Sequence, residues 1–143
     1  MNTNFAHAAL TVKNTDRCLE FYCGLLGMKL DIDFGMQPAD IKTNVEGSQM
    51  RVTLIADANG NQVLETFEFI DAEQRRFEDK CRHTDYWCPH IALTVDNLKE
   101  VYDKLVDAGI EVSIPFTDVA GYKFAYVYDY DGFLVELIDA STY

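Results

Sequence analysis

The sequence carries the stretch His7-Ala8-Ala9-Leu10-Thr11-Val12-Lys13-Asn14 and repeats it as His90-Ile91-Ala92-Leu93-Thr94-Val95-Asp96-Asn97, with a histidine leading each copy. Duplicated units usually pack around a pseudo-twofold axis, so residues at equivalent positions can converge on one site although they lie far apart in sequence. Two equivalent histidines therefore indicate a metal site to which both copies contribute.

The length and composition are those of a folded globular chain. The chain has 143 residues, the size of one domain, and 48% of them are hydrophobic. No segment approaches the roughly 18 consecutive apolar residues of a membrane span, and the N-terminus lacks the basic and apolar regions of a secretory signal. We therefore expect a soluble, cytoplasmic protein.

Charge and cysteine content exclude several partners. With 24 acidic and 12 basic residues the formal net charge is −12, which repels nucleic acid and anionic membrane surfaces but attracts cationic ligands and metals. The four cysteines show no Cys-x-x-Cys spacing, so a structural zinc site built from cysteine is not expected. The expected partner is a small molecule.

A helix is predicted after each copy of the repeated stretch. Candidate caps precede both helices and glycines end them: Asn14 or Thr15 with Gly27, and Asp96 or Asn97 with Gly109. Apolar residues between these limits follow the i, i+3, i+4, i+7 spacing of a helix with one buried face. The first set is Cys18, Phe21, Tyr22 and Leu25, and the second is Leu98, Val101, Tyr102 and Leu105.

Three strands are predicted after each helix and one before it, the first strand of the chain covering residues 5–13. The later ones are 28–34, 50–56 and 62–69 in the first half, and 110–114, 122–128 and 133–139 in the second. Turn residues at 57–61 and 129–132 separate the last two strands of each half, as hairpins require. Each half is thus a β-α-β-β-β module.

The predicted fold class is α+β, with two tandem βαβββ modules forming a partly closed, cup-shaped sheet around a central cavity. One helix covers one face of each sheet and leaves the other face to enclose the cavity. A single domain spans 1–143, with module one at about 5–70, a linker at about 71–87 and module two at about 88–140. The charged linker is long enough to form a short helix.

The candidate site lies on the cavity side of the strands. Strand parity places Leu10 and Val12 toward the helix, which leaves His7 facing the cavity, and the same count applies to His90. Glu65 and Glu136 occupy equivalent positions in the last strand of each module, where an ionised carboxylate among apolar residues is costly unless it is paired or bound to metal. Two imidazoles and two carboxylates suit a divalent Ni, Zn, Mn, Co or Fe ion.

Two competing interpretations concern individual residues. A histidine in a strand is often a structural residue with satisfied hydrogen bonds, although its recurrence beside an equivalent glutamate in both halves favours a ligand. Glu68 competes with Glu65 as the acid of the first half. Because the two differ by three positions they face opposite sides of the strand, and Glu68 is expected to meet solvent or a sheet edge.

The chain resembles the vicinal-oxygen-chelate superfamily, which includes glyoxalase I, methylmalonyl-CoA epimerase, extradiol dioxygenases and the fosfomycin and bleomycin resistance proteins. The resemblance covers nearly the whole chain. It rests on the repeated βαβββ pattern, the strand-leading histidines and two motifs, Phe21-Tyr22-Cys23-Gly24-Leu25-Leu26-Gly27-Met28 and Asp129-Tyr130-Asp131-Gly132-Phe133-Leu134-Val135-Glu136-Leu137. One scaffold serves several chemistries in this superfamily, so the resemblance predicts the fold more closely than the substrate.

The resemblance implies a ligand set and a reaction class. The family's ligand positions fall on His7, Glu65, His90 and Glu136, a set most like that of the glyoxalase I type. It implies one divalent metal ion and a lyase or isomerase that moves a proton next to a metal-chelated carbonyl of a small molecule. Glu136 is the first choice of base and Glu65 the second. The resemblance also implies a homodimer, with or without exchange of modules between chains.

Other roles depend on residues whose placement the sequence does not fix. Arg51 and Lys123 lie on strands that reach the cavity and are candidate substrate-binding residues. The segment 35–49 is either a lid or an ordinary mobile connection. Aromatic residues alternate along one strand in a pattern that more often indicates packing than a ligand platform. They are Tyr122, Phe124, Tyr126 and Tyr128.

Two other functions remain open. A binding protein that sequesters an antibiotic or other small cationic molecule fits the acidic charge and the aromatic content, but has no use for four ligands. An extradiol-type dioxygenase resembles a His, His, Glu iron site with further histidines for acid and base steps, and here only His83 remains. The cluster of basic residues expected for glutathione recognition is not found, which puts a glutathione-linked reaction in doubt.

Overall fold

The computed structural model describes residues 1–75 and 80–143, and the chain divides into two compact units, Met1–Arg76 and Phe77–Tyr143. Each unit contains one copy of the repeated stretch and one four-stranded mixed sheet. The predicted α+β fold, built from two βαβββ modules, is confirmed. Among the described residues, no helix has the length and apolar character needed to cross a membrane.

The first unit builds its sheet in the order β1-β4-β3-β2. Strand β1 runs parallel to β4, and the other neighbours are antiparallel. A π-helical segment, Glu20–Leu25, continues α1 directly. The elements are β1 (Ala8–Thr11), α1 (Thr15–Leu19), β2 (Lys29–Pro38), α2 (Asp40–Thr43), β3 (Gln49–Ala56) and β4 (Gln62–Ile70).

The second unit repeats this order as β5-β8-β7-β6, again with one parallel pair, β5 with β8. A short 3-10 helix, Ala140–Thr142, ends the chain. The elements are β5 (His90–Val95), α3 (Leu98–Asp107), β6 (Val112–Val119), β7 (Tyr122–Tyr128) and β8 (Leu134–Asp139).

The two faces of each sheet differ as strand parity predicts. Along β5, His90 and Ala92 are exposed whereas Ile91 and Leu93 are partly buried. We call the side of each sheet that meets its own helix the helix face, and the side that carries Glu65 or Glu136 the histidine face. The helix faces hold most of the core, because α1 and α3 each lay one apolar stripe on them. Fully buried residues there include Leu64, Thr66, Val135 and Leu137.

Glu68 is partly exposed, as expected, but it also has a partner on the helix face that its position in the sequence did not predict. Its carboxylate accepts a hydrogen bond of 2.7 Å from the backbone N–H of Thr15, the first residue of α1. Asp139, at the equivalent position of the second unit, accepts one of 2.8 Å from Leu98 at the start of α3. The first N–H groups of a helix have no partner within it, so a strand carboxylate that caps them ties helix to sheet.

The hairpin turns are confirmed and are equivalent in the two units. Asp57 and Asp129 each accept two backbone N–H bonds from the turn that follows, at 2.8–2.9 Å. Gly60 and Gly132 complete the two turns with φ angles of +84° and +87°, which favour glycine. The Asp-x-x-Gly spacing therefore fixes the register with which each last strand returns to its sheet.

Strand β6 differs from the predicted strand at 110–114. Ile110 is buried at the end of α3, where its N–H reaches the carbonyl of Leu105 at 3.0 Å, so the strand begins later, at Val112. It then continues past Pro115 to Val119 through two register shifts. Because β6 lies at a sheet edge, it tolerates a proline and bulges that would interrupt a central strand.

Residues 35–49 are more regular than a mobile connection. Strand β2 extends to Pro38, and α2 is held by the buried Ser48, whose carbonyl accepts a bond of 2.9 Å from Ala39. A role as a lid stays a prediction. In the linker, the described residues 71–75 and 80–87 form bends and turns without a helix, and residues 76–79 lie outside the described part of the chain.

A buried polar pair distinguishes the first core from the second. Thr53 and Thr66 lie opposite each other on β3 and β4, fully buried, with their hydroxyl oxygens 2.5 Å apart. The equivalent pair on β7 and β8 is Ala125 and Leu137. Each threonine hydroxyl therefore satisfies the other inside an apolar layer.

This pair gives a test of the packing. Thr66→Val should lower the free energy of unfolding in urea by about 1–3 kcal/mol, because the Thr53 hydroxyl loses its buried partner. Thr53→Val/Thr66→Val should recover most of that loss, since neither hydroxyl is then left unsatisfied. Additive losses in the double variant would show that the two hydroxyls do not depend on each other.

Candidate metal centre

The first histidine and glutamate meet because β1 and β4 are parallel. In this register Ala9 lies opposite Glu65, and His7 precedes Ala9 by two residues, on the same side of the chain. The Nε2 atom of His7 lies 3.1 Å from Oε2 of Glu65. His7 stands one residue before the hydrogen-bonded strand, which is shorter than the predicted 5–13.

The second pair repeats this geometry in the second unit. Ala92 lies opposite Glu136, and His90 precedes Ala92 by two residues. The Nε2 atom of His90 lies 3.3 Å from Oε2 of Glu136. The two imidazoles are equally exposed, at 38% of the side chain, but the glutamates differ, at 21% for Glu65 and 11% for Glu136.

The donor atoms of each pair fit a divalent ion. Nitrogen and oxygen ligands lie about 2.0–2.2 Å from such an ion, so two ligands at right angles are separated by about 3 Å. Both pairs have this separation. Among the described residues, no group of three or more His, Cys, Asp or Glu side chains is arranged so that it could hold a metal. Each unit thus brings together one histidine and one glutamate of the predicted ligand set. The binding of both pairs to one ion stays a prediction.

Tyr126 joins the second pair but has no counterpart in the first. It lies directly opposite Glu136 in the β7–β8 ladder, and its ring meets that of His90 edge to face at 5.4 Å. Burial, followed by a hydrogen bond to the Glu136 carboxylate, raises the pKa of Tyr126. Tyr126 is therefore a neighbour of both members of the second pair.

The aromatic stripe of β7 lies on the histidine face and is not part of the core. The buried residues of this strand are Ala125 and Val127, whereas the aromatic residues between them are partly exposed, up to 40% for Tyr122. These rings pack on one another at the surface of the sheet, and a role as a ligand platform stays a prediction. Ring contacts run along it from Tyr122 through Phe124 to Tyr126 at 5.6 and 6.1 Å.

His83 also reaches this face, which the sequence did not predict. Its ring meets Tyr126 edge to face at 4.7 Å, and its Nε2 lies 3.5 Å from the hydroxyl of Ser113. The linker residues 80–89 show neither a strand nor a helix pattern, so nothing in the sequence assigns His83 to a face.

Arg51 is held on the helix face, away from the His7 and Glu65 pair. Its guanidinium bonds Asp33 at 2.7 Å and Asp16 of α1 at 2.8 Å. These hydrogen bonds, that of Asp33 foremost, raise the pKa of Arg51. The side chain therefore fastens α1 and β2 to β3, and the structure does not bring it together with the candidate ligands.

Lys123 likewise lies on the helix face of its sheet. It shares strand parity with Ala125, and its positive charge acts on the carboxylate of Asp139. That carboxylate also accepts bonds from Ser141 and from the Leu98 backbone, which together lower its pKa to about 2. Lys123 therefore lies on the same side of the sheet as the Asp139 carboxylate that caps α3, and on the opposite side of β7 from Tyr126.

The chain matches the family model of the Glyoxalase/Bleomycin resistance protein/Dioxygenase superfamily over residues 4–137. The chain belongs to this superfamily. Comparison with curated protein sequences gives no significant match.

Solved structures share the fold over nearly the whole chain. A glyoxalase family protein from Bacillus cereus is 15% identical, with a TM-score of 0.85 over 97% of this chain and 95% of that one. The trypanothione-dependent glyoxalase I of Leishmania major is 22% identical, with a TM-score of 0.67 over 99% and 89%. A fosfomycin resistance protein from Listeria monocytogenes is 18% identical, with a TM-score of 0.59 over 98% and 95%. At these identities the likeness concerns the fold alone.

Proposed function

We propose that the protein is a divalent-metal-dependent enzyme of glyoxalase I-like type, a lyase or isomerase acting on a small molecule. In this proposal His7, Glu65, His90 and Glu136 bind one Ni, Zn, Mn, Co or Fe ion. The observation that carries it is the repetition of one local geometry, an imidazole Nε2 3.1 or 3.3 Å from a carboxylate Oε2, at equivalent positions of the two units. Separate structural roles for each residue would not require this equivalence.

The reaction proposed is proton transfer next to a carbonyl. A divalent cation would supply Lewis-acid stabilisation of the negative charge that develops on the substrate oxygens. A glutamate carboxylate accepts the proton when the C–H bond breaks, while the electron pair remains on the substrate. The same glutamate then returns the proton to the neighbouring carbon or to the original one. Glu136 and Glu65 are the two candidates for this role.

The setting proposed for this reaction is a cytoplasmic homodimer. Superfamily members bind small molecules and often dimerise, and the strong negative charge disfavours nucleic acid and anionic membranes as partners. A substrate-binding role for Arg51 would require its side chain to leave Asp16 and Asp33. Lys123 lies on the opposite side of β7 from Tyr126 and the candidate ligands. Aromatic residues of β7 are better placed to contact a substrate near Glu136.

A second candidate is a non-catalytic protein that binds an antibiotic or another small cationic molecule. The aromatic residues of β7 favour it, because they share the histidine face with the Glu136 carboxylate and could stack on a planar cation. An extradiol-type dioxygenase is a third, favoured by the position of His83 beside Tyr126. The binding protein requires no metal, and the dioxygenase requires iron together with oxygen.

Metal content separates these functions. We expect the purified protein to bind about one divalent ion per chain, and removal of that ion by a chelator should abolish turnover. Hemithioacetals, 2-substituted acyl-CoA thioesters, fosfomycin and catechols form a suitable substrate screen. Iron with oxygen uptake on catechols would instead support the dioxygenase. A protein that takes up no metal on soaking, but binds a cationic ligand, would contradict the proposed reaction.

A further inference from the structure

We propose that Cys81 and Cys88 form a reversible oxidation site, at which a peroxide converts the two thiols into a disulfide that closes the loop carrying His83. All four cysteines lie in the described part of the chain, and all are free thiols. Neither member of this pair belongs to the candidate ligand set, so the inference does not depend on the proposed function.

The first support is the closeness of the two cysteines in the folded chain. The Sγ atom of Cys81 lies 3.8 Å from the carbonyl oxygen of Trp87, the residue before Cys88. The peptide bond between these two residues is trans, so that oxygen and the Cα of Cys88 lie on the same side of it, about 2.8 Å apart. Joining the two sulfur atoms therefore requires side-chain rotation and a small shift of the loop, and no refolding.

The second support is the fold of the loop 81–88. The backbone N–H of Asp85 donates to the carbonyl of Arg82 at 2.8 Å, and the Asp85 carboxylate accepts from the Arg82 guanidinium at 2.7 Å. Trp87 then turns the chain back with a φ of +60°, a conformation that a bulky residue keeps only where its surroundings hold it. These contacts hold the ends of the loop together and raise the effective concentration of one thiol at the other.

Exposure selects this pair over the other two cysteines. Cys81 and Cys88 are both partly exposed and open to a small oxidant, whereas Cys18 is buried in α1. Burial, followed by the Cys81 thiol, raises the pKa of Cys88, which is a further sign that the two side chains are neighbours.

The step balances with hydrogen peroxide as the oxidant. One thiolate of the pair attacks a peroxide oxygen, the O–O bond breaks, and the departing hydroxide takes the proton of that thiol and leaves as water. The second thiol attacks the sulfenic sulfur so formed, the S–O bond breaks, and another water leaves as the S–S bond forms. The two thiols thus lose two electrons and two protons to one peroxide. A dithiol reductant reverses the step by thiol–disulfide exchange.

The disulfide acts on the histidine face of the second unit. The ring of His83, inside the loop, lies 4.7 Å from that of Tyr126, and the Cys81 carbonyl accepts a bond of 3.3 Å from Tyr128. Cys88 stands two residues before His90, the first residue of β5. Closing the loop therefore restrains the approach to His90 and holds His83 beside Tyr126.

The test is a tryptic map of the full chain after hydrogen peroxide, with the remaining thiols blocked and no reductant added. Trypsin cuts after Lys80, Arg82 and Lys99, so the dipeptide Cys81-Arg82 is released unless a disulfide attaches it to peptide 83–99. We expect the attached form, lighter than its two parts by two hydrogen atoms, and release of the dipeptide by dithiothreitol. Thiols titrated in the unfolded chain should fall from four to two.

Two variants and a non-reducing gel complete the test. Cys88→Ser should release the dipeptide after the same treatment, whereas Cys23→Ser, the matched control, should keep the attached form. The gel should show the mass of a single chain, because the bond forms within one loop. A free dipeptide from oxidised wild type, its attachment to peptide 18–29, or a disulfide-linked dimer would overturn the inference. None of these readings uses metal or substrate, so each leaves the proposed function standing.

Discussion

Replacing His90 by alanine should remove the bound metal and the activity while leaving the fold intact. The imidazole is exposed over 38% of its side chain and lies on the histidine face, so its loss opens no core cavity. Loss of one of four ligands should lower metal affinity by at least about 100-fold, since even residues that only orient a ligand are worth 10–100-fold. Elemental analysis of the purified variant gives the metal content, and circular dichroism reports the fold.

His83→Ala is the matched control for this variant. It removes an imidazole from the same face and from contact with the same tyrosine, but from outside the proposed ligand set. We expect it to retain about one ion per chain. Unchanged metal content in His90→Ala would refute the assignment of His90. Loss of metal from His83→Ala together with retention in His90→Ala would move the ligand to the linker.

Much of the fold could be predicted because the repeated elements depend on residues that are close together in sequence. Alternation along residues 90–95 gives the two faces of β5, and the Asp-x-x-Gly turns give the hairpins that place each last strand beside the strand before it. Once the first and last strands of each unit are known to be parallel neighbours, the pairing of each histidine with its glutamate follows from parity. These patterns involve residues that are near one another in the chain, so a single sequence is enough to recognise them.

The residues that were misjudged depend on partners distant in sequence. In the sequence Glu68 is an ordinary carboxylate on a strand. Its role depends on Thr15, the first residue of α1, whose backbone N–H donates a hydrogen bond to it. The alternation along β7 shows that its aromatic residues share one side. It does not show which side, because Tyr122 and Val127 both suit a core. Only the ladder partner of Tyr126, the ionisable Glu136, assigns that side to the histidine face.

The two units share their candidate ligands and capping carboxylates but differ in the residues around each glutamate. Both units keep the histidine, the glutamate, the turn aspartate and the carboxylate that caps the helix. They differ in the strand next to the glutamate, where Thr53 and Leu54 of one unit correspond to Ala125 and Tyr126 of the other. Backbone geometry and candidate ligands are thus shared, while the surroundings of each ligand are not.

Metal stoichiometry in His7→Ala, compared with His90→Ala, should decide whether the two pairs serve one ion. If all four side chains bind a single ion, each variant alone should fall from about one ion per chain to nearly none. If each unit bound its own ion, the wild type would hold about two, and each variant would keep about one. The geometry of the separate pairs is the same in both cases, so only the count distinguishes them.

Mixing the two inactive variants extends this test to the dimer. In a dimer whose sites combine the first half of one chain with the second half of the other, a mixed pair of His7→Ala and His90→Ala contains one site with all four ligands and one site lacking both histidines. Refolding an equal mixture should then restore about a quarter of the wild-type metal content, because about half of the dimers are mixed. Sites built within one chain would recover none, since every chain lacks one ligand. Recovery would therefore establish exchange of modules between subunits, whereas its absence, with metal lost from both single variants, would assign all four ligands to the same chain.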